Sequence, residues 1–214
     1  MFDLDGVLVD SEPVWEQVRR QVVAAHGGHW APGAQQRLMG MSTGEWAGYL
    51  SHDLGTGLPP EEVAGQVIGQ MAARYSDQVP FLPGAVAAVR RLAARWPLGL
   101  ASSSPPVLID AVLDGGGLRD CFVAAMSTEQ VPRGKPAPDI YLAVAGRLGR
   151  APQRCAAVED SANGLRSAAA AGLQVIAVPD PRYPPGPAAL AAARLVLPGL
   201  DDLTVQAISE LAGR

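Results

Sequence analysis

Met1-Phe2-Asp3-Leu4-Asp5-Gly6-Val7-Leu8-Val9-Asp10 opens the chain. It reads as a short apolar strand that runs into a glycine-containing loop, with Asp3 and Asp5 where strand gives way to loop. The strand has almost nothing upstream of Asp3, whereas buried parallel strands usually run for about five residues or more. The natural protein is therefore expected to begin several residues earlier.

Outward from this segment the character changes to helix, from Glu12 to about Tyr75. Val14, Trp15, Val18, Val22 and Val23 recur at helical spacing, with Glu16, Gln17, Arg19 and Arg20 on the other face. Gly27-Gly28 stops that helix. Ser42 to Leu50 and Pro60 to Tyr75 read as further helices, the first with Ser42 as N-cap and Glu45 completing a capping box. No strand pattern occurs in this stretch.

After Pro83-Gly84 strands and helices alternate. Ala85 to Arg95 reads as helix, Leu98 to Ala101 as strand, Val107 to Leu113 as helix and Phe122 to Ala125 as strand. Pro138 to Leu148 is a helix, Cys155 to Val158 a strand, Ser161 to Ala171 a helix and Val175 to Val178 a strand. A Pro-rich loop at 179–187 precedes a strand-like Arg194 to Leu197 and a final helix. This rhythm implies an α/β fold, a parallel sheet with helices on both faces. The helical block is then an insertion after the first strand, giving a core of residues 1–12 and 81–214 and a cap of residues 13–80.

Composition narrows the class. With 48% apolar residues the chain can bury a core, and its net charge of −4 argues against nucleic acid as a partner. No apolar run is long enough for a bilayer, so no membrane partner is expected. Cys121 and Cys155 are too few for a disulfide framework, and Cys155 lies in an apolar run. A buried thiol in the reducing cytoplasm is the expectation.

In an open parallel sheet, ligands sit at the carboxyl ends of the strands. There the chain places Asp3 and Asp5, then Ser102, Ser103 and Ser104, then Lys135, then Glu159 and Asp160. Lys135 is the one lysine among 17 basic residues. Two carboxylates about 4 Å apart repel by roughly 4 kcal/mol at an effective dielectric of 20. Four of them with one lysine need a cation, and a hard divalent ion, Mg²⁺ by default, suits oxygen ligands. Lysine and serine beside a metal suit a phosphate, and a carboxylate can serve as covalent nucleophile while another moves the proton.

These residues fall into four ordered motifs: Phe2-Asp3-Leu4-Asp5-Gly6-Val7, Leu98 to Ser104, Gly134-Lys135-Pro136-Ala137-Pro138-Asp139, and Val158-Glu159-Asp160-Ser161-Ala162-Asn163-Gly164. Together they resemble the haloacid dehalogenase superfamily, with the helical cap found in β-phosphoglucomutases and phosphoglycolate phosphatases. The resemblance implies a Rossmann-like core, Asp3 as nucleophile and Asp5 as general acid and base. It implies Mg²⁺ on Asp3, the Asp5 carbonyl and Asp160, with Glu159 a nearer or outer ligand. Ser102, the backbone N–H groups that follow it at Ser103, and Lys135 would hold the phosphate. Chloride release is not expected, because dehalogenating relatives lack an acid at the position of Asp5.

Blander readings stand beside these. Asp5-Gly6 is a turn signal by itself. Ser104, before Pro105, is expected to cap the helix that follows, and Ser161 the next one. His26, His29 and His52 have no ligand spacing. Trp15 and Trp46 read as core residues as readily as substrate contacts.

By the same resemblance the cap acts as a lid that reads the leaving group. β-Phosphoglucomutases carry an Arg near the position of Thr43 and a Lys near that of Met39, where this chain is neutral, although Arg37 is close by. Asp10 to Trp15 is similar to hexose- and hexitol-phosphate phosphatases. Hydrolysis of a sugar or polyol phosphate by a monomer is therefore expected, with a mutase or a phosphoglycolate phosphatase as alternatives. Trp15, Arg37, Thr43 and Trp46 are the candidate substrate contacts.

Overall fold

A computed structural model of the chain describes residues 1–38 and 41–212. The chain divides into two units, Met1–Asp10 with Val79–Arg214, and Ser11–Gln78.

The larger unit is α/β. Its strands are β1 (Leu98–Ser102), β2 (Phe122–Ser127), β3 (Ala156–Glu159), β4 (Gln174–Ala177) and β5 (Leu195–Val196), and every pairing among them is parallel. β1 pairs with β2, and β3 with β4 and then β5. The opening segment closes the gap between the two groups. Phe2 bridges Leu100 on one side and Val158 on the other. Its N–H donates to the Gly99 carbonyl at 2.8 Å, and the Ala101 N–H donates to its carbonyl at 2.9 Å. On the far side the Asp3 N–H donates to Val158 at 3.0 Å. The spatial order is thus β2, β1, Phe2, β3, β4, β5. Past Phe2 the chain curls, with Leu8 bonding back to Leu4, and Val9 pairs antiparallel to Phe81.

Burial follows position in the sheet. β1 has neighbours on both sides and is buried at all five positions, which is why it reads as an unbroken apolar run. β2 alternates, and Val123 is 63% exposed. The helix Asp139–Arg147 lies on β1 and β2 and buries Ile140, Tyr141, Val144 and Ala145 at helical spacing. The helix Ala162–Ala170 covers β3 and β4 with Leu165 and Ala168. These side chains share one cluster with Ala157, Val175 and the buried Cys155. Each large apolar side chain buried here contributes about 1.5–3 kcal/mol.

The smaller unit is helical. Glu12–Ala25 ends before Gly27, whose φ of 74° suits a residue without Cβ. Ala34–Leu38, Thr43–Gly48, a π-helical turn at Tyr49–Asp53 and Pro60–Asp77 follow. The expected capping box is present, with the Ser42 N–H donating to Glu45 Oε2 at 2.8 Å and the Glu45 N–H to Ser42 Oγ at 3.4 Å. Val63, Val67, Met71 and Tyr75 form the buried stripe of the long helix. The short helix at Ala34–Leu38 has too few turns to show a period in sequence. Among the described residues, no helix is long and apolar enough to cross a membrane.

Candidate active site

The carboxyl ends of the strands bring their polar residues together. Asp3 follows the Phe2 bridge, Ser102 ends β1, Lys135 lies beyond β2, and Glu159 ends β3 with Asp160 next. One carboxylate oxygen from each of Asp3, Glu159 and Asp160 lies within 4.8 Å of the others. Lys135 stands among them as a tripod. Its Nζ donates to Asp3 Oδ1 at 2.7 Å, to Glu159 Oε1 at 2.6 Å and to the Ala101 carbonyl at 2.9 Å. All three ammonium hydrogens are therefore used.

Glu159 is fully buried and saturated. Its Oε1 accepts from Lys135 and from the Tyr141 hydroxyl, the latter at 2.6 Å. Its Oε2 accepts from the Asp160 N–H at 3.2 Å and the Ser161 hydroxyl at 3.3 Å. Ser161 also caps the helix after β3, accepting from the Gly164 N–H at 3.1 Å, as expected from sequence. Asp160 differs. Its Oδ1 is buried and has no hydrogen-bond partner.

Electrostatics matches this geometry. Burial, with Glu159 and Asp5 nearby, pushes the Asp3 carboxyl up to about 8 in spite of Lys135. Burial also drives Asp160 well above the usual carboxylate range, with Glu159 and Asp3 adding to it. Burial works against the Lys135 ammonium, but Asp3 and Glu159 outweigh it and raise its pKa. The cluster holds more negative charge than one lysine can balance. An unpartnered buried carboxylate oxygen beside two further carboxylates fits a hard divalent cation such as Mg²⁺. Asp3, Asp160 and the Asp5 carbonyl would hold it, while the four donors on Glu159 favour an outer place for that residue.

Asp5 lies half-buried on the β1 side. The Ser104 hydroxyl donates to its Oδ2 at 2.7 Å, and the Ser102 hydroxyl approaches the same oxygen at 3.4 Å. Ser102 Oγ accepts from the Ser104 N–H at 2.9 Å. The expectation that Ser104 caps the next helix is thereby corrected. That helix, Pro106–Gly115, has Pro105 at its N-cap position and no side-chain cap. The Ser104 hydroxyl donates to the Asp5 carboxyl instead. Ser103 lies exposed in the bend between them.

Two motif glycines are explained by close approach. A Cβ on Gly6, where φ is 75°, would collide with the Asp160 carboxylate, and one on Gly164 would collide with that of Glu159. Gly146 has no atom within 4 Å of such a position. Gly164→Ala is thus expected to lower turnover by about tenfold or more by displacing Glu159 and the lysine it holds. Gly146→Ala, in an open helical position, leaves turnover intact and adds about 0.5–1 kcal/mol of stability. Steady-state rates and thermal melts on the two variants test the contrast.

In the helical unit, Trp15 and Trp46 are both buried, with ring centroids 6.0 Å apart, and the Arg19 guanidinium lies 4.7 Å and 5.2 Å from the two rings. Arg37 lies over Tyr49 at 4.5 Å and pairs with Asp53 at 3.9 Å. Thr43 opens the helix Thr43–Gly48. The position compared with a mutase lysine, Met39, lies outside the described residues. Sequence reading missed Ser104 as an Asp5 partner, because before a proline it looks like a cap, and Tyr141, whose helical spacing reads as core.

Comparison with known proteins identifies the family. The family model for haloacid dehalogenase-like hydrolase matches residues 1–172. Hexitol phosphatase B of Escherichia coli O157:H7 is 34% identical over 212 residues, 96% of this chain and 94% of that protein. Fructose-1-phosphate phosphatase YqaB of Escherichia coli (strain K12) is 30% identical over 83% of this chain and 94% of its own. The crystal structure of CbbY from Rhodobacter sphaeroides in complex with phosphate is similar with a TM-score of 0.86 and 25% identity, covering 97% of each chain. Four ordered motifs, the parallel sheet that gathers them and these likenesses agree: the chain belongs to the haloacid dehalogenase-like hydrolases, as one of their phosphoric monoester hydrolases.

Proposed function

We propose that the protein hydrolyses a sugar or polyol phosphate through a phosphorylated Asp3, with Mg²⁺ as cofactor. The observation that carries the reading is the convergence of Asp3, Lys135 and Asp160 in one buried cluster, with Asp5 held beside it by Ser104. The relatives named as hexitol and fructose-1-phosphate phosphatases support the substrate class.

A carboxylate oxygen of Asp3 attacks phosphorus, and the bond from phosphorus to the ester oxygen breaks. Asp5 gives its proton to the leaving alkoxide, so the alcohol departs neutral. Asp5, now a carboxylate, takes a proton from water, whose oxygen attacks phosphorus. The acyl–phosphate bond breaks and Asp3 returns as a carboxylate with inorganic phosphate released. Lys135 neutralises charge on the transferring group and holds the Asp3 oxygen in place. Ser102 and the N–H groups after it at Ser103 are assigned to the phosphate oxygens. Mg²⁺ on Asp3, Asp160 and the Asp5 carbonyl would supply further charge neutralisation.

Trp15, Arg37, Thr43 and Trp46 are assigned to reading the carbon end of the substrate. Thr43 is neutral where β-phosphoglucomutases carry an arginine, which favours hydrolysis over a mutase grip on a second phosphate. Two free cysteines suit a reducing cytoplasm, and a monomer is the assembly proposed. A panel of hexitol, hexose and ketose phosphates, phosphoglycolate and nucleotides, assayed for inorganic phosphate with Mg²⁺, tests the function. Highest kcat/KM on a sugar or polyol phosphate is expected. Conversion of β-glucose 1-phosphate to glucose 6-phosphate without free phosphate would overturn it.

A further inference from the structure

Tyr141 stands first among the largest fully buried side chains, and neither the motifs nor the proposed chemistry uses it. It projects from the first turn of the helix Asp139–Arg147, on the face packed against β1 and β2. A phenylalanine would fill the same volume without a polar atom to satisfy. Here the hydroxyl donates at 2.6 Å to Glu159 Oε1, the same oxygen that Lys135 reaches at 2.6 Å. The Lys135 Nζ lies 5.2 Å from the centre of the Tyr141 ring, so the face of that ring also holds the ammonium.

Glu159 thus receives four donors on two oxygens, about the capacity of a carboxylate. Two of them, the Asp160 N–H and the Ser161 hydroxyl, lie at 3.2–3.3 Å, whereas the two on Oε1 lie at 2.6 Å. The short pair sets where Oε1 sits, and Oε1 is one of three acceptors that aim the lysine. Without the hydroxyl, one short contact to that oxygen is lost and the lysine can follow the carboxylate off Asp3. Burial first, and then the neighbouring Glu159 and Asp3 charges, raise the phenol pKa further above its ordinary range, so the hydroxyl stays a donor.

We propose that Tyr141 is a positioning residue for phosphoryl transfer: its hydroxyl pins Glu159 as the anchor that holds the Lys135 ammonium on Asp3. The proposal rests on the phosphatase reading for its chemistry and on the hydrogen-bond chain from Tyr141 to Asp3 for its geometry. A misplaced lysine weakens the transition state more than the ground state, because charge on the transferring group is greatest there.

Tyr141→Phe is expected to keep the melting temperature within about 3 °C of the parent and to lower kcat about tenfold, with KM moving less than about threefold. Binding of orthovanadate in Mg²⁺, which mimics the transferring group, weakens about tenfold. In a Lys135→Met background the same substitution adds less than about twofold, since the group it positions is gone. Tyr141→Phe with kcat and vanadate affinity within twofold of the parent would overturn the proposal, and so would an undiminished effect in the Lys135→Met background. If Tyr141→Phe alone does not fold, Tyr141→Phe with Glu159→Gln removes both the donor and the charge it serves, and parent-like turnover of that folded double variant would overturn it as well. A parent that binds vanadate yet turns over no ester in the panel sinks the phosphatase reading and leaves vanadate affinity to decide on Tyr141. A parent that binds no vanadate overturns both.

Discussion

Asp3→Asn abolishes turnover, with a fall in kcat of about 10³-fold or more and no change of fold. The amide is a far poorer nucleophile than a carboxylate, and neither Glu159, saturated by its donors, nor Asp160, assigned to the cation, is expected to replace it. The loss corresponds to about 4 kcal/mol or more of barrier. Stability should move little, because Asn has the shape of the protonated Asp3 that burial favours without a cation, and Lys135 keeps Glu159 and the Ala101 carbonyl. Circular dichroism and thermal melts check the fold. Residual activity above about a tenth of the parent would point to another nucleophile.

Removing divalent cations with EDTA has the second large effect, a loss of turnover of about 10²-fold or more that added Mg²⁺ reverses. The same experiment has a readout in stability, with a sign set by the carboxylates. Asp3 is pushed up to about 8 from an ordinary 3.8, and Asp160 moves the same way. An acid whose pKa is raised by folding binds its proton more tightly in the folded chain than in the unfolded one. Metal-free stability is therefore highest below about pH 4 as far as these groups go, and it is lost as pH climbs towards 8. Lys135 does not titrate in this window, since its pKa is raised from an already high value. Mg²⁺ binds the deprotonated carboxylates, so its stabilising shift should grow across the same window. With Mg²⁺ at about 100 times its dissociation constant, a rise in melting temperature of about 5–10 °C at pH 8 and a smaller one at pH 5.5 are expected. A shift independent of pH would mean that the ion binds away from Asp3 and Asp160.

Much of this protein was legible in its residues because local rules agreed with one another. Strands at Leu98–Ser102 and Ala156–Glu159 announced themselves as apolar runs, since both are buried on each face, and the polar residue that ends each run sits where a parallel sheet presents ligands. The capping box at Ser42 and Glu45 and the stop at Gly27 are encoded within a single turn. Boundaries drifted by a residue or two, as at β3, where the pairing register with β4 and not the apolar pattern decides the ends.

The remainder lies in contacts between residues far apart in sequence. The Met1–Asp3 segment, bridged at Phe2 to β1 and β3, makes one sheet of two, and its partners lie about 100 and 150 residues away. Ser104 carries the local signature of a helix cap, yet its hydroxyl turns to Asp5, an acceptor that the fold places 2.7 Å away. Tyr141 occupies a core position in its helix, and nothing in helical spacing reveals that its hydroxyl meets Glu159. The residue types at the strand ends, and hence the kind of chemistry, can be read along the chain. Which of them hold one another, and which oxygen is left for a cation, follows from folding, because hydrogen-bond partners in a buried cluster are chosen by distance and not by order along the chain.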